Sequence, residues 1–334
     1  MAGGIIMHAG RLQMGDMRRC EFIRGLAASV AAGANCAAGE SVPHQAAADA
    51  SAVSPRDAFQ LEIDAVTPGV YTAHYEAGSA LDPGTCARTV AEYPALGRYE
   101  DAFEKVARKV RETEVSGHPL VWFVYNMGII VKTRRTVFSV DLQHRRAEEL
   151  APFLDFALIT HNHLDHYTGR FLHAMDRVER KTVVSNFCDN YGAHFGGLHP
   201  GGYTRAVKTF EFGDVTVRTT YTDHNDYLVD FTTAFEIVAD GLTIFHSGDC
   251  SNASKLKPLC PNPDLWFVHP RCWMKVVDGA AAVNPKVTVV AHLNEMSHAK
   301  GRARWTWADG EKAKAKLEAA GYKAVVPLWG DRIA

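Results

Sequence analysis

Four residues in one short run of the sequence, His161, His163, Asp165 and His166, have the types and spacing of metal ligands. In an extended chain alternate side chains point the same way, so His161 and His163 can bind one ion, while Asp165 and His166, one turn further on, can face a second. Imidazole nitrogen and carboxylate oxygen suit zinc and also iron or manganese. With each residue type taken as roughly one in twenty, the string arises by chance in only about a few chains per thousand of this size.

Three further residues of the same chemical types follow apolar runs that are typical of strands. These residues are His224, Asp249 and His292. The motif that begins at His161 also follows such an apolar segment. Strand ends can converge at one edge of a sandwich while the strand bodies stay in the core. Seven donors on four strand ends are enough for two ions with a carboxylate between them, so the sequence predicts a two-ion site.

The elements that must position these ligands are predicted after Pro119, where short apolar runs are closed by turn or polar residues. An amphipathic helix is predicted over about residues 96–115, and a last helix over about 308–320, before Gly321. Many strands, few helices and no repeat favour packed sheets with helices outside. The predicted strands are residues 120–124, 128–132, 136–140, 156–160, 181–185, 206–212, 215–220, 234–238, 242–246, 265–268, 287–291 and 324–326.

Residues 1–56 differ in composition from the rest and are predicted to be a disordered leader or export signal with a linker. The pair Arg18-Arg19 indicates a twin-arginine signal and export to the periplasm, although Phe22 lies one position later than that pattern requires. The alternative is a start codon further downstream, as at Met17, and a cytoplasmic protein. Residues 57–117 are predicted to form a strand-helix extension, with a strand or hairpin over 59–75, and residues 118–334 the catalytic domain.

The composition narrows the class of partner. The chain has 334 residues, 47% hydrophobic and 22% charged, as is typical of a soluble globular protein. Its formal charge of −2 offers no basic excess for a phosphate backbone, which argues against nucleic-acid binding and favours a small-molecule substrate. Beyond the N-terminus the sequence contains no apolar run of about 18 residues, so no stable membrane span is predicted. Seven cysteines without a Cys-x-x-Cys pair argue against a disulfide scaffold.

The ligand series resembles that of the metallo-β-lactamase-fold superfamily over roughly residues 118–330. The resemblance implies an α/β fold, an αββα sandwich with a dinuclear metal site at one edge. It implies two divalent ions, with zinc as the first choice and manganese or iron as alternatives. In that arrangement His161, His163 and His224 would hold the first ion, Asp165, His166 and His292 the second, and Asp249 would bridge them.

The sequence His246-Ser247-Gly248-Asp249 and the short chain are most similar to the branch that contains ascorbate-6-phosphate lactonase and N-acyl-phosphatidylethanolamine phospholipase D. No cysteine replaces Asp249, which disfavours β-lactam hydrolysis. The segment after His292 is too short for the helical domain of glyoxalase II, a flavodoxin domain or the large insertion of the nuclease branch, and no basic arm of the tRNA-processing endonucleases is evident.

The predicted activity is hydrolysis of a small-molecule ester, lactone or phosphodiester by a metal-bridging hydroxide. Asp165 would orient the hydroxide or relay its proton, and His298, His246 or Tyr227 would protonate the leaving group. The alternatives are an iron-dependent redox enzyme on the same fold and a metal-retaining binding protein without turnover.

Other residues are candidates for supporting roles. Asp141 resembles the family's aspartate behind the ligands, and His246 either orients a ligand or only closes its strand. The segment 269–273, in the turn after residues 265–268, could line the pocket mouth, where Arg271 could bind a phosphate or carboxylate, or it could be a solvated loop. Lower-ranked pocket candidates are Tyr125, Asn126, the segment 185–187, His194 and His199.

Overall fold

The computed structural model describes residues 54–77, 83–185, 207–224, 228 and 232–334. The predicted leader and its twin-arginine pair, up to residue 53, lie outside these ranges, as do the candidates His194, His199 and Tyr227 and most of the segment 185–187.

The N-terminal part of the described chain is helical, so the strand or hairpin predicted over residues 59–75 is wrong. Phe59, Ile63 and Val66 are buried, and their spacing of four and three residues is that of one helix face. The loose alternation around them could not be distinguished from this spacing over so few residues. The helices are α1 (Pro55–Ala65), α2 (Pro68–Ala77), α3 (Pro83–Glu92) and α4 (Pro94–Glu112).

Helix α1 begins before residue 56, where the leader was predicted to end. The Ser54 side chain accepts a hydrogen bond from the Asp57 amide at 3.1 Å, and Pro55 occupies the first helical position, where its missing N–H costs nothing. Helix α4 confirms the predicted amphipathic helix, with Tyr99, Phe103 and Val106 buried.

The first sheet contains five strands in sequence order. The first three are antiparallel neighbours, and the last two join in parallel. The strands are β1 (Leu120–Tyr125), β2 (Gly128–Lys132), β3 (Val137–Val140), β4 (Phe156–Ile159) and β5 (Thr182–Ser185).

The second sheet contains seven strands in the order β12-β11-β10-β9-β8-β7-β6. The four strands from β12 to β9 are parallel, and the remaining pairings are antiparallel. The strands are β6 (Lys208–Phe212), β7 (Val215–Thr222), β8 (Thr232–Ala239), β9 (Leu242–His246), β10 (Leu265–Val268), β11 (Val287–Val290) and β12 (Ala324–Val325).

The main core lies between the two sheets. Phe156 of β4 stacks on Phe212 of β6 across it, with ring centroids 3.9 Å apart. Helix α4 packs on the first sheet, and a C-terminal helix packs on the second through Gly310, where an added Cβ would lie 2.5 Å from Leu293. The predicted αββα sandwich is therefore confirmed.

The remaining helices connect the strands. The predicted last helix is present, but Val276–Val283 was missed because its small apolar residues carry no charged face that would mark a surface helix. In the described ranges no helix is long and apolar enough to cross a membrane. The helices that connect the strands are α5 (Gly169–His173), α6 (Val276–Val283) and α7 (Trp307–Ala319), with a 3-10 segment at Ala147–Phe153 and a π turn at Ala174–Val178.

Candidate metal centre

The seven predicted ligands come together at one edge of the sandwich. The first four follow β4 in the first sheet, and His224, Asp249 and His292 follow β7, β9 and β11 in the second. All are buried except His163, which is half-buried. Both sheets therefore contribute to one cluster of imidazoles and carboxylates.

One set of donors is formed by His161, His163, His224 and Asp249. His161 Nε2 lies 3.1 Å from His163 Nδ1, and His224 Nε2 lies 3.4 Å from the same atom. The possible ligand atoms of all four residues lie within 4.8 Å of one another. Three imidazoles and a carboxylate at this spacing match a tetrahedral or five-coordinate ion.

A second set adjoins the first. His292 Nε2 lies 3.0 Å from Asp165 Oδ2, and His166 Nε2 lies 3.8 Å from that oxygen. The carboxylate of Asp249 faces this set as well, with Oδ1 3.5 Å from His166 Nε2 and Oδ2 3.3 Å from His292 Nε2. Asp249 thus lies beside both sets.

The chemistry of the donors fits divalent cations. His166 Nε2 and Asp249 Oδ1 are buried and have no hydrogen-bond partner among the described residues. A buried polar atom without a partner is costly, and an ion between these two atoms would satisfy both.

Burial keeps the first set of imidazoles neutral. It lowers the pKa of His161 well below its usual value, with the neighbouring histidines His166 and His163 adding to the effect. Burial also lowers the pKa of His163 and brings that of His224 to about 4. A neutral imidazole retains the lone pair that binds a metal, so these residues are ready to bind at neutral pH.

The second set attracts positive charge. Burial alone would lower the pKa of His292, but the carboxylates of Asp249 and Asp165 outweigh burial and raise it to about 10. The pKa of His166 is raised in the same way by Asp249, Asp165 and Asp141. Burial opposes ionisation of Asp165 and Asp249, yet the histidines around them hold both pKa values well below the usual range. Protons or metal cations can supply the positive charge that this set requires.

Asp141 lies directly behind the ligands and is fully buried. Its Oδ2 accepts hydrogen bonds from His166 Nδ1 at 2.8 Å and from Thr160 Oγ1 at 2.7 Å, and its Oδ1 accepts one from the Thr160 amide at 2.8 Å. The proton of His166 is therefore held at Nδ1, and Nε2 faces the site.

The turn before Asp249 requires glycine. Gly248 has a φ of +53°, and an added Cβ would lie 2.8 Å from Thr160 Oγ1. That hydroxyl is also 3.0 Å from His161 Nδ1. Gly248 therefore permits close packing of the loops after β4 and β9, each of which carries ligands.

Asn126, a low-ranked pocket candidate, also supports the ligands. Its side-chain NH₂ donates to the Asp165 backbone carbonyl at 2.8 Å. The backbone carbonyl of Asn126 accepts a hydrogen bond from the His292 backbone amide at 2.8 Å. His292 has a φ of +55°, a strained value for a histidine that functional sites commonly hold in place.

The two described candidates for the leaving-group acid, His246 and His298, differ in burial and in contacts. His246 is fully buried; its Nε2 donates to the Met127 carbonyl at 3.0 Å, and its Nδ1 lies 4.0 Å from Asp141 Oδ2. His298 keeps 32% of its side chain exposed, with Nδ1 3.4 Å from the buried Glu295 carboxylate. Its ring lies 5.9 Å from that of His292 and nearly parallel to it.

The turn after β10, which the sequence offered as a lining of the pocket mouth, places two residues against the ligand cluster itself. Arg271 packs over the Trp305 ring at 4.2 Å and pairs with Asp309 at 3.3 Å. His269 and Cys272 are instead the residues of this turn that lie close to Asp249. Their position directly after another predicted strand was the signal that placed the segment 269–273 near the pocket, and it did not single out these two residues.

His269 packs directly on a predicted ligand. Its ring stacks on that of His292 with centroids 4.1 Å apart, and its Nδ1 accepts a hydrogen bond from the Arg271 amide at 3.1 Å. In the neutral ring the proton is therefore at Nε2. Burial lowers its pKa well below the usual value, with the charge of His292 adding to the effect, so the ring is neutral at physiological pH.

Residues 136–300 match the model of the family described as Beta-lactamase superfamily domain. A UPF0173 protein of Pyrococcus abyssi (strain GE5 / Orsay) is 25% identical over 178 residues, which cover 52% of this chain and 82% of that protein.

Solved structures with a similar course of the chain include Igni18, a metallo hydrolase from Ignicoccus hospitalis KIN4/I. It is 18% identical, with a TM-score of 0.49, over 65% of this chain and 98% of that one. Another is CmlA, a diiron beta-hydroxylase from Streptomyces venezuelae, which is 14% identical, with a TM-score of 0.49, over 66% of this chain and 54% of that one.

Proposed function

We propose, from the premise that this chain carries a beta-lactamase superfamily domain, that it is a metal-dependent hydrolase that cleaves an ester, lactone or phosphodiester bond of a small molecule. One observation carries the proposal: donors from four strand ends in two sheets meet as two adjoining sets, with Asp249 beside both. Such a set of buried imidazoles and carboxylates serves ion binding better than it serves stability.

His161, His163 and His224 would hold one ion, and Asp165, His166 and His292 the other, with Asp249 between them. Zinc fits these nitrogen and oxygen donors, and manganese or iron are alternatives. The ions would supply Lewis acidity, which polarises the bond under attack and makes water a nucleophile at neutral pH. No serine or cysteine nucleophile is then required.

Asp165 is suited to handle a proton beside the ions. Its pKa lies well below the usual range because His166 and His292 outweigh the effect of burial, so the carboxylate stays ionised and can accept a hydrogen bond from a water beside the ions. Asn126 Nδ2 lies 3.4 Å from Asp165 Oδ2 and 2.8 Å from its carbonyl, which holds the side chain in place. Asp165 would orient the attacking water and take up its proton at a carboxylate oxygen.

His298 is better placed than His246 to protonate the leaving group. It is partly exposed beside His292, and the Glu295 carboxylate, 3.4 Å from its Nδ1, can orient the ring. His246 has no such access because it is fully buried and donates to a backbone carbonyl. His246 would instead act through Asp141 as a positioning residue.

The proposal is tested by metal content and by hydrolysis of a panel of activated phosphodiesters, esters and lactones, using zinc-, manganese- and iron-loaded protein. His163→Ala and Asp249→Ala should each lower turnover by more than the roughly 100-fold that follows loss of an outer partner of a ligand. Asp240→Ala, in the turn between β8 and β9 where Asp240 pairs with Arg134, is the control and should leave turnover unchanged. Absence of bound metal, full metal without hydrolysis, or unaffected hydrolysis in the two ligand variants would each refute the proposal.

A further inference from the structure

We propose that Cys272 is a positioning residue that fixes the tautomer of His224, ties this ligand to Asp249, and so tightens binding of the first ion. The inference rests on the proposed metal site, because it concerns how this chain presents two of the proposed ligands. Nothing in the spacing of the ligands pointed to Cys272.

The thiol lies between two ligand residues. Cys272 is 4% exposed, and its Sγ donates a hydrogen bond to the Asp249 carbonyl at 2.9 Å. On its other side Sγ lies 3.3 Å from His224 Nδ1. The turn after β10 is thereby joined to the loops after β7 and β9.

The placement of protons follows from these two contacts. A carbonyl oxygen can only accept, so the single thiol proton is directed at Asp249. The sulfur then has only its acceptor capacity left for His224, and His224 must carry its proton at Nδ1. This leaves the lone pair at His224 Nε2, the atom that lies 3.4 Å from His163 Nδ1 inside the first set.

Two other ligands have a partner of the same kind. His161 Nδ1 lies 3.0 Å from the Thr160 hydroxyl, and His166 Nδ1 lies 2.8 Å from the Asp141 carboxylate. Each partner contacts Nδ1, while Nε2 of the same ring faces the neighbouring donors. Cys272 occupies the equivalent place behind His224, where a thiol is the weakest of the three acceptors.

Direct ligation is the competing role for this thiol. The possible ligand atoms of Asp249, His269 and Cys272 also lie within 4.8 Å of one another. The hydrogen bond from Sγ to the Asp249 carbonyl favours the positioning role, because a ligating sulfur would have lost that proton. The two roles predict different spectra.

The first experiment measures zinc affinity of the full-length protein by competition with a chromophoric chelator. Cys272→Ala leaves His224 Nδ1 without its acceptor and should weaken binding of one of two ions about 10-fold, the lower end for loss of an outer partner. Cys272→Ser keeps a donor and an acceptor and should restore affinity close to that of the wild type. Cys250→Ala is the matched control, since Cys250 is 1% exposed, adjoins Asp249 in the sequence, and donates to the Asn252 carbonyl at 3.3 Å.

The second experiment is the absorption spectrum of cobalt-loaded protein, which needs no variant to fold. We expect no thiolate-to-cobalt band in the wild type; such a band, lost in Cys272→Ser, would make Cys272 a ligand and overturn the positioning role. Unchanged zinc affinity in Cys272→Ala would also overturn it. Failure of the wild type to bind zinc or cobalt would instead refute the proposed metal site itself, so the two failures are distinguishable.

Discussion

Asp141 directly orients His166, one of the proposed ligands of the second set. Its carboxylate accepts hydrogen bonds from His166 and Thr160 in a fully buried position. In Asp141→Asn one oxygen becomes an NH₂ group, which cannot accept the proton of His166 Nδ1. We expect zinc affinity of the second ion to fall about 10- to 100-fold, as measured by calorimetric titration.

Asp264→Asn is the control for this prediction. Asp264 also accepts a backbone hydrogen bond, from Thr243 at 2.8 Å, and pairs with Lys286. It lies directly before β10, at the opposite strand end from the proposed ligands, and contacts none of them among the described residues. Equal losses of zinc affinity in the two variants would contradict a specific role for Asp141.

Among single residues, the sequence identified the ligands of a local motif, but it placed His269 and Cys272 only in a segment that could line the pocket mouth. His161, His163, Asp165 and His166 are recognisable because their spacing is itself informative. His269 and Cys272 lie 20 or more positions from the ligands they touch, and a histidine or a cysteine in a loop has no spacing that distinguishes it. Only the folded sheet places them beside Asp249.

Among the elements, the turn from β9 to Asp249 is the one that a single methyl group should disrupt. Gly248→Ala would place Cβ 2.8 Å from Thr160 Oγ1 and 2.9 Å from its Cβ, at a φ of +53°. Because Thr160 also contacts Asp141 and His161, we expect the variant to lose both stability and bound zinc. Urea unfolding and metal analysis of the purified variant measure the two losses.

Gly241→Ala separates backbone strain from steric contact in that prediction. Gly241 has a φ of +87°, but no atom lies within 4 Å of its added Cβ. The free energy of unfolding of this variant should therefore fall only by the roughly 1–2 kcal/mol that a left-handed backbone conformation costs a residue with a Cβ, and the variant should keep its metal. If Gly248→Ala loses no more stability and no more zinc than Gly241→Ala, the close contact with Thr160 has no functional role.

The predictions of helices and strands were correct where a segment fitted only one pattern of apolar residues. They were wrong where a segment fitted both strand alternation and helical spacing. The twelve strands after Pro119 were short, apolar and closed by turns, and all are present within two residues of the predicted ends. Phe59, Ile63 and Val66 satisfied a loose alternation and a helical spacing equally well. Packing against the rest of the domain decided between them, and one sequence does not contain that information.

Glu100 joins helix α4 to two other segments, and acid should weaken this connection. Its Oε1 lies 2.9 Å from His74 Nε2 of α2, and Arg145 donates to it from the loop after β3. Burial alone would raise the pKa of Glu100, but His74, His144 and Arg145 outweigh burial and hold it at about 2. A lowered folded-state pKa gives stability that is complete above the unfolded pKa, about 4.3, and is lost as the pH falls towards 2.

The measurement compares Glu100→Gln with the wild type in urea unfolding between pH 6 and pH 3, with a chelator present to remove metal effects. We expect the variant to be less stable by on the order of 3 kcal/mol at pH 6 and the difference to shrink at pH 3. Glu62→Gln breaks the exposed pair with Arg98 and should cost less than about 1 kcal/mol. A difference that does not change with pH would show that Glu100 acts by packing rather than by charge.

For the whole molecule, the proposed ions connect the two sheets. The first sheet supplies four of the proposed ligands from the loop after β4, and the second supplies the other three, His224, Asp249 and His292. Ions that bind only the folded chain stabilise it by mass action. At zinc concentrations about 1,000 times the dissociation constant the gain is about 4 kcal/mol, which corresponds to a rise in Tm on the order of 10 °C.

Differential scanning calorimetry with zinc and with excess chelator measures this rise, and Asp249→Ala determines its origin. Asp249 contacts both donor sets, so the variant should lose most of the zinc-dependent shift, although removal of a buried carboxylate among histidines also changes its metal-free Tm. The quantity to compare is therefore the shift between the zinc and chelator states of each protein, not the Tm itself. An equal shift in both proteins would mean that zinc stabilises the fold from somewhere other than the two sets around Asp249, and the site would then not be what holds the sheets together.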